Sequence, residues 1–395
     1  MHPLMQEALA MKDEITANRR TLHQNPELGL KLPQTVRFVA SKLDEMGVPY
    51  EVYEDCFCVV ATLGRGEKCF LLRGDMDALP VQEDTGLPFA SSNGCMHACG
   101  HDLHAAMLLG AAKLLKAHES ELKGTVKLLF QSGEEIFAGA QAAIDRGVLE
   151  NPKVNAAFAM HVGGALPYNR AIYGHYTMSA VYGFRMTLTG KGTHGSTPEL
   201  GIDPINTGVH IYLALQELIA REVSALDEAS LTIGRFDAGK VANVIPNSAV
   251  LEGTLRTFKP ETTDYLRARI DEVAAAVAAA YRTHIDIEVL SKVPATICDP
   301  ALTEEFLASL RSVDEQMEPR PDFHVMGSED FAFITERIPA SYFFLGAGVE
   351  DPSKWRGQHN PQILFNEGVL PRGAAIYAKV AMDWLEKHQH DKSVQ

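Results

Sequence analysis

The chain predicts an α/β protein: a mostly parallel, mixed sheet with helices on both faces, carrying an inserted ferredoxin-like α+β domain. Three observations predict it. Strand-like apolar runs alternate with helical patterns over the first 175 residues, the order of a parallel α/β sheet. Those runs are apolar on both faces, as strands buried between two helical layers require. From about Tyr176 the order becomes strand, helix, strand, strand, helix, strand, which is the split βαβ arrangement. At 395 residues the chain is also too long for one ordinary core. The expected division is a discontinuous domain of residues 1–175 and 292–395, with residues 176–291 as the insertion.

The elements follow in order. Residues 5–24 read as one amphipathic helix and residues 34–47 as another, from apolar positions at helical spacing. CFCVVATLG is a β-branched strand ending in glycine, and KCFLLRGDMDALP is a strand expected to break at Gly74. The stretch Cys95–His104, CMHACGHDLH, leads into an apolar helix from about Leu103 to Ala117. GTVKLLFQSGEE is a buried strand that stops at Ser132-Gly133; AAIDRGVLE is a short helix; NAAFAMHVGG is a further strand. In the insertion, FRMTLTGKG, SLTIGRFD, NSAVLEGTLRTF and HIDIEVLS are strands. DPINTGVHIYLALQELIARE and TTDYLRARIDEVAAAVAAAYR are its helices. The first domain resumes with a helix at 301–312, the strand SYFFLGAG and a closing helix after Leu370.

Composition narrows the function classes. Hydrophobic content of 46% and charged content of 22% fit a soluble globular protein. A net charge of -15 argues against nucleic-acid binding, because little is left to neutralise phosphates. Six cysteines in so long a chain do not suggest a disulfide scaffold. The N-terminal MHPLMQEALAMKDEITANRR lacks the charged-then-apolar order of a signal peptide. No run is long and apolar enough to span a bilayer, so a cytoplasmic protein without a membrane partner is expected.

The strand ends carry the chemistry. Asp75 and Asp77 are expected just past one strand, Glu134 and Glu135 past the next, and His161 past a third. His359 follows the strand SYFFLGAG in the loop GQHNPQ. In open α/β sheets ligands bind outside the carboxyl ends of the strands, so these side chains converge on one edge. Cys99, His101, Glu135, His161 and His359 are the candidate metal ligands, one more than a single tetrahedral zinc takes. Two metals sharing a ligand fit this number, and a thiolate can bridge. Such a pair activates a water and polarises a carbonyl oxygen. The adjacent Glu134 and Glu135 then divide: one binds metal, the other takes a proton from the water.

RGDMDALP, HACGHDLH, FQSGEE, AMHVG and GQHNP, in this order, resemble the M20 metallopeptidase superfamily. The cysteine of HACGHD is similar to its amidohydrolase branch of hippurate hydrolases, N-acyl-amino-acid amidohydrolases and auxin-conjugate hydrolases. The resemblance implies that Cys99 bridges two divalent ions (zinc, manganese, cobalt or nickel), completed by His101, Glu135, His161 and His359. It makes Glu134 the general base and then the acid to the leaving amine. Asp77 would orient a ligand histidine, with Asp102 a second candidate for such a role. GKGTHGSTPELGIDPI and VANVIPNSAVLEGTLR resemble the family's lid segments. They imply His194 as an oxyanion stabiliser, often in the partner's site, and Asn243 and Arg256 as holders of a substrate carboxylate. Glu329 and Asp330 of HVMGSEDFAFI fall near the pocket in relatives, or cap the following helix.

The expected activity is hydrolysis of N-acylated amino acids, in a homodimer joined through the inserted domain or a homotetramer. The alternatives with the same centre are a dipeptidase or aminopeptidase, or an N-acetyldiaminopimelate deacetylase. A metal-free thiol hydrolase with Cys99 as nucleophile leaves four metal-type residues unexplained. The intact glutamate pair argues against an inactive binding module.

Overall fold

The computed structural model describes residues 1–321 and 324–390. The chain divides into two compact units. The first comprises Met1–Thr177, Thr296–His324 and Glu329–Gln395; the second, Met178–Ala295 with Val325–Ser328.

An eight-stranded sheet organises the first unit. Its strands are β1 (Tyr50–Tyr53), β2 (Cys58–Gly64), β3 (Cys69–Asp75), β4 (Thr125–Gln131), β5 (Ala156–Gly163), β6 (Arg170–Ile172), β7 (Glu318–Arg320) and β8 (Ala340–Gly346). They lie in the order β1-β2-β4-β3-β5-β8-β6-β7. The central run β4-β3-β5-β8 is parallel throughout, and the flanking pairs β1/β2, β2/β4 and β8/β6 are antiparallel. Every residue of β3, β4, β5 and β8 is buried, as a sheet covered on both faces requires.

The helices are α1 (Pro3–Ala10), α2 (Lys12–Gln24), α3 (Pro33–Met46), α4 (His101–Ala117), α5 (Gly139–Asp145), α6 (Pro300–Val313), α7 (Ala332–Thr335) and α8 (Val369–His388). The single helix expected over 5–24 is two. Met11 leaves the helical region (φ -95°, ψ 6°), and its N–H is shared between Glu7 O and Ala8 O, which tightens the last turn and ends α1. Alternate side chains of a strand face opposite sides. Phe70 therefore meets Phe306 of α6 and Trp384 of α8, while Arg73 faces the other side, toward Glu329, Asp330 and Phe331 just before α7. Phe158 of β5 is the hub of the first side, edge-on to Phe306, Phe343 and Tyr377; each such pair adds about 0.5–1.5 kcal/mol to its area burial. Gly74 does not end β3, which runs on to Asp75. Its bare Cα instead admits α4: a Cβ there would stand 3.1 Å from His104 O.

The second unit is a four-stranded antiparallel sheet of Ala180–Thr189, Ala229–Ala238, Ser248–Thr257 and His284–Val293. Their spatial order is second, third, first, fourth. The helices Pro204–Glu217 and Pro260–Ala280 pack on it through Ile211, Leu215, Leu266 and Ile270, against Leu188 and Leu251. Asp203 caps the first of them by accepting Ile205 N–H at 2.8 Å. The unit's limits differ from the expected 176 and 291. Val325–Ser328, expected in the other domain, belongs to it because Ser179 N–H donates to Gly327 O and Arg256 Nη1 to Met326 O. No helix among the described residues is long and apolar enough to cross a membrane.

Candidate metal centre

The adjacent parallel strands β4, β3 and β5 deliver their carboxyl ends to one edge of the first unit. Asp75 is the last residue of β3, and Glu134 and Glu135 follow the turn after β4. His161 lies inside β5 rather than past it, because the ladder with β8 continues to Gly163. Between β3 and α4 the chain turns at Gly100 (φ +91°), where a Cβ would come within 2.5 Å of Val162 Cγ2. Only glycine fits there, and it sets Cys99 and His101 side by side. His359 is also left-handed (φ +68°), pinned by its N–H to Ala98 O at 3.0 Å. A non-glycine residue held in that region is a mark of functional sites.

The donor atoms of Cys99, His101 and His161 lie within 4.8 Å of one another, and so do those of Cys99, Glu135 and His359. Cys99 belongs to both sets. Its Sγ is 3.3 Å from His161 Nε2, and His359 Nε2 is 3.5 Å from Glu135 Oε2. Main-chain carbonyls fix the imidazoles. His101 Nδ1 donates to Asp77 O at 2.9 Å and His161 Nδ1 to Val162 O at 2.8 Å, leaving both Nε2 lone pairs toward the cluster. That carbonyl partner is the usual support of a metal-bound imidazole. His101 Nε2 and Glu135 Oε1 are buried without a hydrogen-bond partner and stand 3.8 Å apart. Orphaned buried polar atoms are costly, and cations held at this cluster would satisfy both.

The electrostatics agree. Burial, then the Glu329 and Glu135 carboxylates, push Glu134 well above the carboxylate range. Burial raises Glu135 to about 7, against the pull of His101. Burial and the neighbouring His104 keep His161 neutral, as a ligand must be. Burial also opposes the His101 cation, yet Asp75 and Asp77 outweigh it and raise that imidazole. The edge thus crowds carboxyls whose charge burial disfavours until a cation offsets it, and soft sulfur with imidazole and carboxylate suits a borderline divalent metal.

Asp77 braces the glutamate turn, its two oxygens accepting Glu134 N–H and Glu135 N–H, each at 3.0 Å. Asp75 accepts from Arg73 Nη1 at 2.6 Å and from His104 Nδ1 at 2.5 Å, while His104 Nε2 accepts Val162 N–H. His104 therefore ties β3 to β5 behind the ligands. Asp102, expected to support a ligand, faces the other way: it pairs with Arg19 at 2.7 Å and His23 at 2.8 Å on α2. A residue one step along a helix points about 100° away from its neighbour, so Asp102 leaves His101's side.

Sequence reasoning missed Arg73. Buried on β3, it pairs with Asp75, Glu329 and Asp330, and Glu329 and Asp330 have oxygens within 4.8 Å of one on Glu134. A lone arginine within an apolar strand, CFLLRGD, was the available signal. Glu329 also accepts Phe331 N–H at 2.9 Å, but the helix that follows, Ala332–Thr335, starts from Phe331 without a side-chain cap. The remaining candidates lie in the second unit. His194 is exposed, its Nδ1 accepting Ser196 N–H at 3.1 Å. Asn243 is exposed, its carbonyl accepting Gly195 N–H. Arg256 donates to Met326 O at 2.7 Å and Ser328 Oγ at 3.2 Å.

A buried thiol, three histidines and a glutamate pair on a sheet edge define a metal-dependent hydrolase. The chain belongs to peptidase family M20/M25/M40, whose model matches residues 71–383. It is 37% identical over 383 residues to the IAA-amino acid hydrolase ILR1-like 4 of Arabidopsis thaliana, covering 94% of this chain and 86% of that one. It is 34% identical over 388 residues to the N-acetyl-L-cysteine deacetylase of Bacillus subtilis, covering 97% and 91%. A solved Bacillus subtilis M20-family peptidase, described as binding a dinuclear metal, superposes with a TM-score of 0.81 at 32% identity over 95% of this chain and 99% of that one.

Proposed function

We propose that the chain hydrolyses the amide bond of N-acylated amino acids with two divalent metal ions. The observation that carries this reading is Cys99, shared by the set with His101 and His161 and the set with Glu135 and His359, with the Glu134 carboxylate close to His101 and Glu135. His101 and His161 would complete one site and Glu135 and His359 the other. Bound there, the ions would polarise the scissile carbonyl and acidify a water. Glu134 takes the proton of that water and passes it to the leaving amine, while the Asp77 brace keeps its main chain in place. In this reading His194 steadies the oxyanion and Asn243 and Arg256 hold the substrate carboxylate. The two relatives' names, an amino-acid conjugate hydrolase and a deacetylase, support an acyl amide as substrate. Zinc, manganese, cobalt and nickel all suit the donor set.

The test is a panel of N-acyl amino acids against matched free-amine dipeptides. Cleavage of the former supports the proposal; cleavage of dipeptides alone replaces it with a peptidase. Glu134→Gln should lower kcat by about 10²–10⁴-fold with metal content unchanged; a fully active variant excludes Glu134 as base.

A further inference from the structure

We propose that Gln358 is a positioning residue of the metal centre. Its side-chain amide, bound to the Val162 carbonyl, holds the His161 ring in its ligating orientation and ties it to the loop that carries His359. The inference rests on the two-metal reading above and goes beyond it, since Gln358 is neither a ligand nor part of the glutamate turn.

The need for Gln358 arises where β5 outruns a neighbour. β3 pairs with β5 from Phe70–Ala156 to Arg73–Ala159, while the β8 ladder continues to Gly163. Successive residues of a strand turn their peptide groups to alternate edges. Gly163 O accepts Ala347 N–H on the β8 side, so the N–H and C=O of Val162 point to the other edge, beyond the β3 pairing. Buried main-chain groups require partners, and side chains supply them in place of a strand. His104 Nε2 accepts the Val162 N–H at 2.9 Å. Val162 O accepts twice, from His161 Nδ1 at 2.8 Å and from Gln358 Nε2 at 2.6 Å. Facing a carbonyl, a glutamine amide must present its nitrogen, since its oxygen has no proton to give.

Gln358 therefore fills one lone pair of that carbonyl and leaves His161 the other. A ring that donates from Nδ1 offers Nε2 to a metal, and His161 Nε2 stands 3.3 Å from Cys99 Sγ. The loop is fixed again one residue on, where His359 N–H donates to Ala98 O at 3.0 Å, next to Cys99. Two successive residues thus grip the chain beside His161 and beside Cys99. The donor set of His101 and His161 and that of Glu135 and His359 share a support as well as a thiol. Removing the Gln358 amide would free the Val162 carbonyl and loosen His161, although the altered side chain adjoins His359.

The test is cobalt titration of the metal-free full chain, read by visible absorption and elemental analysis, for wild type, Gln358→Met, Gln358→Glu and Gln362→Met. The first variant removes the donor and keeps the length. The second keeps the shape but sets an acceptor against an acceptor. The third is the control: it removes an amide bond from the same loop to Asp84 Oδ2 at 2.8 Å, rather than to a carbonyl beside a ligand. Both Gln358 variants should raise the apparent Kd of one cobalt ion about 10–100-fold, the usual cost of losing an outer support, and shift the cobalt absorption bands. The control should match wild type. A Gln358→Glu protein that binds and absorbs like wild type overturns the donor role. A control that loses as much cobalt affinity as the Gln358 variants also overturns it, by making the effect one of loop stability. Both outcomes leave the N-acyl reading standing, because wild type still loads its metals. A wild type that binds no cobalt overturns both.

Discussion

Asp77 holds Glu134 by its main chain, Oδ1 accepting the Glu134 N–H at 3.0 Å while Oδ2 accepts the next amide. An anionic carboxylate gripping two amides is among the stronger hydrogen-bonding arrangements. Asp77→Asn keeps the shape but puts an N–H where one amide must be accepted. It should lower kcat about 10–100-fold, the usual cost of losing an outer support of a metal site. Steady-state kinetics with parallel metal analysis check this; unchanged kcat would mean the turn holds itself.

Cys99 appears in both donor sets. Cys99→Ala should therefore empty both sites together. Elemental analysis after dialysis reads the stoichiometry, and a variant that keeps one ion counts against a bridging thiolate.

Metal loading should release protons, more at pH 6 than at pH 8.5. Burial holds the Cys99 thiol well above 9 and the Glu135 carboxyl at about 7. At pH 6 both carry a proton until a cation displaces it; at pH 8.5 Glu135 is already ionised. Calorimetric titration in buffers of different ionisation enthalpy measures the release. A release that grows with pH would contradict this ordering.

The buried Arg19–Asp102 pair predicts a stability effect. Arg19→Met leaves the Asp102 carboxylate short of its cation and should cost about 3–5 kcal/mol. Denaturant midpoints measure it, and adding Asp102→Leu should restore part of the loss.

Glu83 sets an acid limit nearby. Burial opposes its charge, but hydrogen bonds from His23 and Thr85 hold it down at about 2, against 4.5 unfolded. A depressed carboxyl contributes fully above its unfolded value and loses that contribution as pH falls through the folded one. The urea midpoint gap between wild type and Glu83→Gln should stay constant above about pH 4.5 and narrow between 4.5 and 2. A gap that persists at pH 3 in full would place the stabilisation elsewhere.

Much of this was legible in the sequence. β3, β4, β5 and β8 announced themselves as apolar runs, and their glycine or acidic ends located the edge. Cys99, His101, Glu135, His161 and His359 come together there. What the sequence concealed depends on facing. Asp102 and His104 looked alike beside His101, yet one turns to α2 and the other to Asp75. Gly74 resembled a strand end because its role, making room for α4, exists only in three dimensions. Arg73 was silent because a buried cation is explained by partners some 250 residues away.

The first seventy residues have a further meaning. Residues matched by the family model begin at 71, so a fragment cut to that span would look complete. It would lack β1 and β2, the Arg19 and His23 grip on Asp102, and the Leu28–Ala78 bridge next to Asp77. The candidate edge is therefore supported by segments well before the matched span, and trimming to the recognisable part should yield a protein without a working floor to that edge.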